Sequence, residues 1–197
     1  QKIIKNLSIG LKKLLKKEMF LHNQILESCM GKAMELNIEI DSKSAPMVEL
    51  NVLRAPNREE FTRIVYFKDR GFRVSHAVRS GALLASGQPV VARHGQPRPA
   101  PVRESLLTLD LSYSSTLPDA LSRAPETAPV RIEADEPLQL RIFIDRSVVE
   151  VFANGKQCIA VRVYPGRGDS TGVSLRAQGD GAELRSLDAW QMKNIYL

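Results

Sequence analysis

The segment of residues 138–164, LQLRIFIDRSVVEVFANGKQCIAVRVY, constrains the fold of this chain more than any other stretch. Apolar positions recur at every second residue from Leu138 to Ile144, the period of a strand with one buried face. A polar break at residues 145–147 and the dipeptide Asn154-Gly155 then divide the segment, and Asn-Gly is a strong signal for a type I′ hairpin turn. The segment therefore predicts three antiparallel strands joined by two short turns at the centre of a sheet.

The rest of the body repeats this pattern of short strands separated by turns. Further strands are predicted at residues 34–40, 48–53, 61–67, 72–78, 105–111 and 130–132, at a segment beginning at residue 173, and at residues 182–192. We expect a turn at residues 68–71 and a long loop over the proline-rich residues 86–104. No alternation of strands and helices is visible. The sequence predicts an all-β fold for residues 32–197, a two-sheet antiparallel β-sandwich of jelly-roll or concanavalin-like type with ten to twelve strands.

The first 31 residues read as a separate N-terminal unit. Apolar residues recur at helical spacing between Ile4 and Leu26, while lysines occupy the opposite side. We therefore predict a basic amphipathic α-helix over residues 3–30, ended by Gly31. Such a helix either packs on the body, pairs with a copy of itself, or lies on an anionic membrane surface.

The formal net charge of +6 is concentrated in this N-terminal unit. Residues 1–20 contain six lysines and one glutamate, which gives +5 and leaves only +1 for the other 177 residues. This uneven distribution argues against nucleic acid as a partner of the body. No apolar run is long enough to span a bilayer, and lysines interrupt every candidate signal sequence, which together favour a cytoplasmic location.

The cysteines and histidines do not form a ligand pattern. Cys29 and Cys158 lie far apart, match no zinc spacing, and are predicted to be small buried apolar residues. The three histidines form no metal-binding motif. We therefore expect neither a metal nor a cofactor.

Three motifs near the C-terminal end point to a family. FIDRSVVEVFANG at residues 143–155, RVYP at residues 162–165 and SLDAWQM at residues 186–192 resemble the C-terminal β-sandwich of glycoside hydrolase family 32, which contains invertases, levanases and inulinases. Upstream motifs fit the same domain in the same order: ELNIEID at residues 35–41, NVLRAPN at residues 51–57 and LDLSYSS at residues 109–115. The resemblance covers roughly residues 33–197.

The resemblance implies a domain without catalytic residues. Members of the family carry their chemistry on a five-bladed propeller that precedes the sandwich, in Asn-Asp-Pro, Arg-Asp-Pro and Glu-Cys motifs. None of these motifs occurs in this sequence. Cleavage by the retaining route needs two carboxylates about 5 Å apart, one on each side of the scissile bond. No catalytic residue is therefore assigned to this chain.

Six residues within the matching motifs are interpreted as structural: Asp145, Glu150, Asn154, Gly155, Asp188 and Trp190. Asp145 begins a tight turn, where aspartate commonly accepts hydrogen bonds from backbone amides. Glu150 lies between two valines and is expected to point away from their face. Trp190 is the only tryptophan and is interpreted as a core anchor, with a sugar-stacking platform as the alternative. It is the one candidate for ligand binding.

Three functional hypotheses remain open at this point. The first is a non-catalytic accessory sandwich of a fructan- or sucrose-hydrolase-like protein, which braces a propeller domain or mediates oligomer contacts. The second is a carbohydrate-binding module that recognises fructans, since β-sandwiches host many such sites although fold does not fix function. The third is an interaction protein whose N-terminal helix docks on a partner.

Overall fold

A computed structural model describes residues 24–73, 102–121, 123–133, 135–179 and 182–192. Eleven strands occur in these ranges: β1 Gln24–Met30, β2 Ala33–Asp41, β3 Met47–Arg54, β4 Thr62–Arg73, β5 Val102–Asp110, β6 Glu126–Val130, β7 Leu138–Asp145, β8 Val148–Ala153, β9 Gln157–Arg162, β10 Gly172–Gln178 and β11 Glu183–Gln191. None of the described residues forms a helix that is long and apolar enough to cross a membrane.

The strands form two antiparallel sheets, which confirms the predicted sandwich. The six-stranded sheet has the order β1-β10-β3-β4-β5-β6, and the five-stranded sheet has the order β11-β2-β7-β8-β9. The predicted central meander is confirmed as β7, β8 and β9, with Ile142 opposite Val151 and Val151 opposite Ile159. Strands β6 and β9 form one edge of each sheet, and β1 and β11 form the other.

The core lies between the two sheets and is aliphatic. In β7 the alternation seen in the sequence places Leu140, Ile142 and Ile144 inward, with at most 2% of each residue exposed. From the opposite sheet, Leu50 and Ile64 are equally buried. Each such side chain contributes about 1.5–3 kcal/mol through removal from water, so this cluster is the main source of stability.

The prediction of a helix up to residue 30 is wrong for its last seven residues, which form β1 and pair with β10. Ile25, Leu26 and Cys29 have helical spacing, but the edge of the six-stranded sheet offers a hydrogen-bonding partner, and Leu26 and Cys29 become buried there. Tertiary pairing of this kind overrides local propensity. Residues 1–23 of the predicted N-terminal unit lie outside the described residues.

The predicted turn at residues 68–71 is also wrong, because β4 continues through it to Arg73. The pairing of β4 with β5 shifts between Phe67 and Gly71, which is a bulge in place of a turn. Asp69 adopts a positive φ of 52° there, and its N–H donates to the Ser105 hydroxyl at 3.1 Å. Residues 74–101, which include the rest of the predicted strand and most of the predicted long loop, lie outside the described residues.

Candidate functional site

The three carboxylates of the family motifs lie on the outer face of the five-stranded sheet, and Asp188 is remote from the other two. Glu150 points away from the buried Val149 and Val151, as predicted. Asp188 on β11 is three strands from Glu150 on β8, which is about 14 Å at the usual strand spacing. Asp145 is exposed, and its carboxylate accepts no hydrogen bond from another described residue. Asp145 and Glu150 are diagonal neighbours on β7 and β8, about 7 Å apart, but both project from the same face of the sheet and cannot lie on opposite sides of one sugar ring.

The turn between β8 and β9 has the predicted geometry and an additional structural role. Asn154 and Gly155 have positive φ angles of 49° and 61°, as a type I′ turn requires. The Asn154 side chain accepts from the Gln139 N–H at 3.0 Å and donates to the Pro137 carbonyl at 2.8 Å and the Glu136 carboxylate at 3.1 Å. Asn154 therefore fixes this hairpin turn to the start of β7.

Glu136 completes this contact at the surface. The Lys156 ammonium lies 2.8 Å from the Glu136 carboxylate. Hydrogen bonds from Lys156 and Asn154, together with one from the Glu133 backbone, lower the pKa of Glu136 to about 2. The carboxylate is consequently ionised throughout the physiological range and holds the turn as a charged acceptor.

Trp190 does not lie in the core, contrary to the expectation of a core anchor. In β11 the buried positions are Leu184, Leu187 and Ala189, and the alternation places Trp190 on the outer face, where it is half-buried. It lies opposite Glu35 of β2, which in turn lies opposite Phe143 of β7. Trp190, Glu35 and Phe143 therefore form one row on the outer surface across three strands, β11, β2 and β7.

A shallow pocket of about 300 Å³ lies beside this surface, lined mainly by side chains from β2, β7 and β8. We call it the sheet-face pocket and define it by Asn37, Gln139, Arg141, Phe143 and Phe152. The two phenylalanine rings meet edge to face with their centroids 6.0 Å apart. Neither ring is among the site residues predicted from the sequence, although an aromatic residue at an outward position of an alternating strand is a usable signal.

A second feature that the sequence did not reveal is a fully buried carboxylate, Glu60. Its Oε2 accepts from the Thr116 N–H at 2.9 Å, the Thr116 hydroxyl at 3.1 Å and the Gly166 N–H at 3.0 Å. Its Oε1 accepts from the Arg167 N–H at 2.9 Å and from the Ser170 hydroxyl. These five bonds join the loops that follow β3, β5 and β9, and we call the arrangement the loop clamp.

The loop clamp holds an anion with neutral donors. Burial by itself raises the pKa of Glu60, but the hydrogen bonds from Ser170, Arg167, Gly166 and Thr116 outweigh it, and the net pKa is lowered from the ordinary value. Backbone N–H groups that converge on a carboxylate favour its ionised form. The clamp therefore needs the charged glutamate, and it fixes the loops at one end of the sandwich.

An apolar groove of about 700 Å³ extends from these loops along the open edge between β6 and β9. We define the groove by its apolar lining: Leu111, Leu117, Leu121, Val148, Ala160 and Tyr164. Leu117 is 43% exposed, Leu121 82% and Tyr164 50%. A Cβ added at Gly166 would lie 2.9 Å from Leu117 Cγ, so the clamped loop packs directly against the groove wall. Asp119, Arg123, Glu126 and Arg162 also line the groove, so its exposed apolar side chains lie among charged ones, a combination typical of an interaction site.

The outer face of the six-stranded sheet carries a balanced charge network. The fully buried Glu49 contacts Arg63 at 2.9 Å and Arg176 at 2.6 Å and accepts from Asn51 at 3.0 Å, while Arg63 also contacts Asp110 at 3.1 Å. Burial raises the pKa of Glu49, but the bonds from Arg176, Asn51 and Arg63 lower it overall. The two positive and two negative charges of this network therefore balance.

Cys158 is exposed on the outer face of β9, whereas Cys29 is buried. The prediction that both are buried is wrong for Cys158, because Ile159 and Val161 take the inward positions of that strand. Burial and the nearby Glu150 charge raise the pKa of the Cys158 thiol. In the part of the chain that the structure describes, no group of three or more potential metal ligands lies together.

The family model of the glycosyl hydrolases family 32 C-terminal domain matches residues 9–191. The chain belongs to this family. Curated relatives of this family 32 C-terminal domain include the levanase of Bacillus subtilis (strain 168), which is 35% identical over 130 residues, and insoluble isoenzyme 2 of the β-fructofuranosidase of Daucus carota, 38% identical over 93 residues. The matches cover 64% and 45% of the chain but only 18% and 16% of those relatives.

Solved structures share the fold. Fructan 1-exohydrolase IIa of Cichorium intybus matches 95% of the chain with a TM-score of 0.62, and the exo-inulinase of Aspergillus awamori matches 90% with a TM-score of 0.60. Both are 16% identical to the family 32 C-terminal domain described here, which covers 37% and 30% of their chains. The similarity establishes the sandwich architecture. Most of the length of every one of these proteins lies outside the matching part.

Proposed function

We propose that this family 32 C-terminal domain is a non-catalytic accessory sandwich that packs against a catalytic propeller domain of a fructosidase-like protein through the apolar groove. The observation that carries the proposal is the exposed leucine and tyrosine surface of the groove, held on loops that the buried Glu60 fixes. The relatives supply the context, since the matching part is less than a fifth of the levanase. In a protein of that kind, an accessory domain needs a surface that packs against the catalytic part.

Rigid presentation supports docking at the groove. Exposed leucines on mobile loops lose conformational entropy when a partner orders them, whereas preorganised side chains avoid that cost. The loop clamp and the close contact of Gly166 with Leu117 provide this preorganisation. The groove lies between the edge strands β6 and β9, so a partner bound there would cover two strand edges, and covering exposed edges is one way in which natural proteins prevent unwanted pairing.

The lack of catalysis is tested directly. We expect the purified chain to release no fructose above the blank from sucrose, levan or inulin, because the family's catalytic motifs are missing from its sequence. Fructose release that survives further purification would contradict the accessory role.

Docking is tested with the levanase relative expressed without its C-terminal domain. We expect the chain to form a one-to-one complex with that protein and to raise its thermal midpoint. Leu121→Gln should weaken the complex at least tenfold, since it places a polar group in an apolar contact. Ile25→Gln is the matched control, because Ile25 is 55% exposed at the opposite edge of the sandwich.

Three results would count against docking at the groove. An absent complex or an equal loss with Ile25→Gln would each remove the groove as the propeller site. If sedimentation shows that the chain alone is a dimer and that Leu121→Gln dissociates it, the groove binds a second copy instead.

A further inference from the structure

We infer that the sheet-face pocket binds the ring of a neutral saccharide. This site is separate from the apolar groove: it is built on the outer face of the five-stranded sheet, around Arg141 and Phe152. The inference does not depend on the proposed docking of a propeller. It rests on the exposed ring of Phe152, on the polar side chains of Asn37, Gln139 and Arg141, and on the ion pair that neutralises the charge of the arginine.

The apolar part of the pocket is Phe152, which is 36% exposed. The Arg141 guanidinium lies 4.8 Å from the centroid of the Phe143 ring, so the face of Phe143 is already occupied. Phe152 stands at 90° to that ring and remains available at the pocket wall. The C–H face of a sugar ring packs on such an aromatic surface while its hydroxyl groups point sideways.

The polar part of the pocket consists of side chains that can donate or accept in pairs. Asn37 lies opposite Arg141, and Arg141 lies opposite Phe152, so the three form one row across β2, β7 and β8. Gln139 is two residues along β7 on the same face, about 7 Å away. The side-chain amides of Asn37 and Gln139 make no hydrogen bond to another described residue. They can therefore bind adjacent hydroxyl groups, which need both donors and acceptors.

Two contacts hold the Arg141 guanidinium in a fixed position beside these amides. Its Nε donates to the Glu35 carboxylate at 2.8 Å, and Glu35 is only 8% exposed. This contact and the Phe143 ring fix the plane of the guanidinium, while its two terminal nitrogens donate to no other described residue. A fixed guanidinium with free terminal N–H groups presents two parallel donors.

The local charge selects for a neutral ligand. The negative charge of Glu35 compensates that of Arg141, and the other polar residues of the pocket are uncharged amides. Asn154 closes one end of the pocket, and its amide is already satisfied by Gln139 and Pro137, so it acts as a fixed wall. Neither a carboxylate nor a phosphate gains a net attraction here, whereas a polyhydroxylated ring finds donors, acceptors and an aromatic face.

The test is a titration of the ¹⁵N-labelled 197-residue chain with sucrose, followed by ¹H–¹⁵N correlation spectra. We expect shifts of the side-chain signals of Asn37, Gln139 and Arg141, with a Kd of about 1–10 mM for a small ligand in a shallow site. Phe152→Ala should weaken binding at least tenfold. Tyr113→Ala is the matched control, because Tyr113 is a comparably exposed aromatic residue outside the pocket.

Two further variants keep the test decisive if Phe152→Ala fails to fold. Gln139→Ala removes an exposed amide, and Arg141→Lys keeps the charge but removes the fork; each should weaken sucrose binding about fivefold. The inference is overturned if sucrose causes no shifts, if the shifts map elsewhere, or if Tyr113→Ala has the same effect. It is also overturned if galacturonate binds tenfold more tightly than sucrose, since that ligand is an anion.

Discussion

Replacement of Glu60 by glutamine changes one oxygen of the loop clamp to an NH2 group and removes the negative charge. The carboxylate accepts five hydrogen bonds from four residues, and none of the donors carries a positive charge at the contacting atom. Glutamine can keep one acceptor oxygen, but its NH2 group then faces donors. The Ser170 hydroxyl can rotate and accept instead, whereas the backbone N–H of Arg167 cannot.

The expected destabilisation follows from these contacts. A buried donor that is left without a partner costs about 1–3 kcal/mol, and hydrogen bonds to a charged group are worth about 1.5–3 kcal/mol against roughly 1 kcal/mol for neutral ones. One orphaned N–H and the loss of charge assistance at the other contacts together give about 2–4 kcal/mol for Glu60→Gln. This is a large change for a domain of this size.

The substitution should also change the dependence of stability on pH. The pKa of Glu60 is lower in the folded state than its ordinary value of 4.5, so its stabilisation is fully present above that value. It is lost as the pH falls through the folded value, because the unfolded chain binds the proton more readily. Glu60→Gln cannot titrate and should therefore show a shallower loss of stability in acid.

Urea unfolding followed by Trp190 fluorescence and circular dichroism measures both effects. Glu59→Gln is the matched control, since Glu59 is the neighbouring residue but lies at the surface near Arg167, at 3.7 Å. We expect its unfolding midpoint to stay close to that of the unsubstituted chain. A loss below about 0.5 kcal/mol for Glu60→Gln, within the usual range of surface substitutions, or an unchanged acid dependence, would refute the role assigned to the clamp.

Three other outcomes follow from the structure. Gly166→Ala should destabilise by about 1–3 kcal/mol, because its Cβ would lie 2.8 Å from a hydroxyl oxygen, whereas Gly168→Ala has open space and should be neutral in the same urea assay. Asn154→Ala should cost about 1–2 kcal/mol through its lost hydrogen bonds and its positive φ; an unchanged midpoint would contradict this. In the native chain a maleimide should label Cys158 but not Cys29. Because the thiolate is the reacting species and the pKa of Cys158 is raised, labelling of Cys158 should become faster as the pH rises. Mass mapping after proteolysis checks this, and native labelling of Cys29 would disprove it.

The errors of the sequence interpretation have specific causes. Residues 24–30 have apolar residues at helical spacing, and only the presence of β10 beside them makes a strand the better solution. Cys158 and Trp190 were assigned to the core from residue type, although the alternation of their strands places both outward. The bulge at Asp69 depends on a hydroxyl 36 residues away, which no local pattern indicates.

The sequence by itself determined the class of fold, the central meander and the family, because strand alternation, Asn-Gly turn chemistry and short motifs are local properties of neighbouring residues. Only the tertiary structure decided which side chains act together. The loop clamp joins Glu60 to donors up to 110 residues away, and the sheet-face pocket combines Asn37 with Arg141 and Phe152 from two other strands. Such sites depend on sheet order and register, which many distant contacts fix jointly and which no short stretch of sequence encodes.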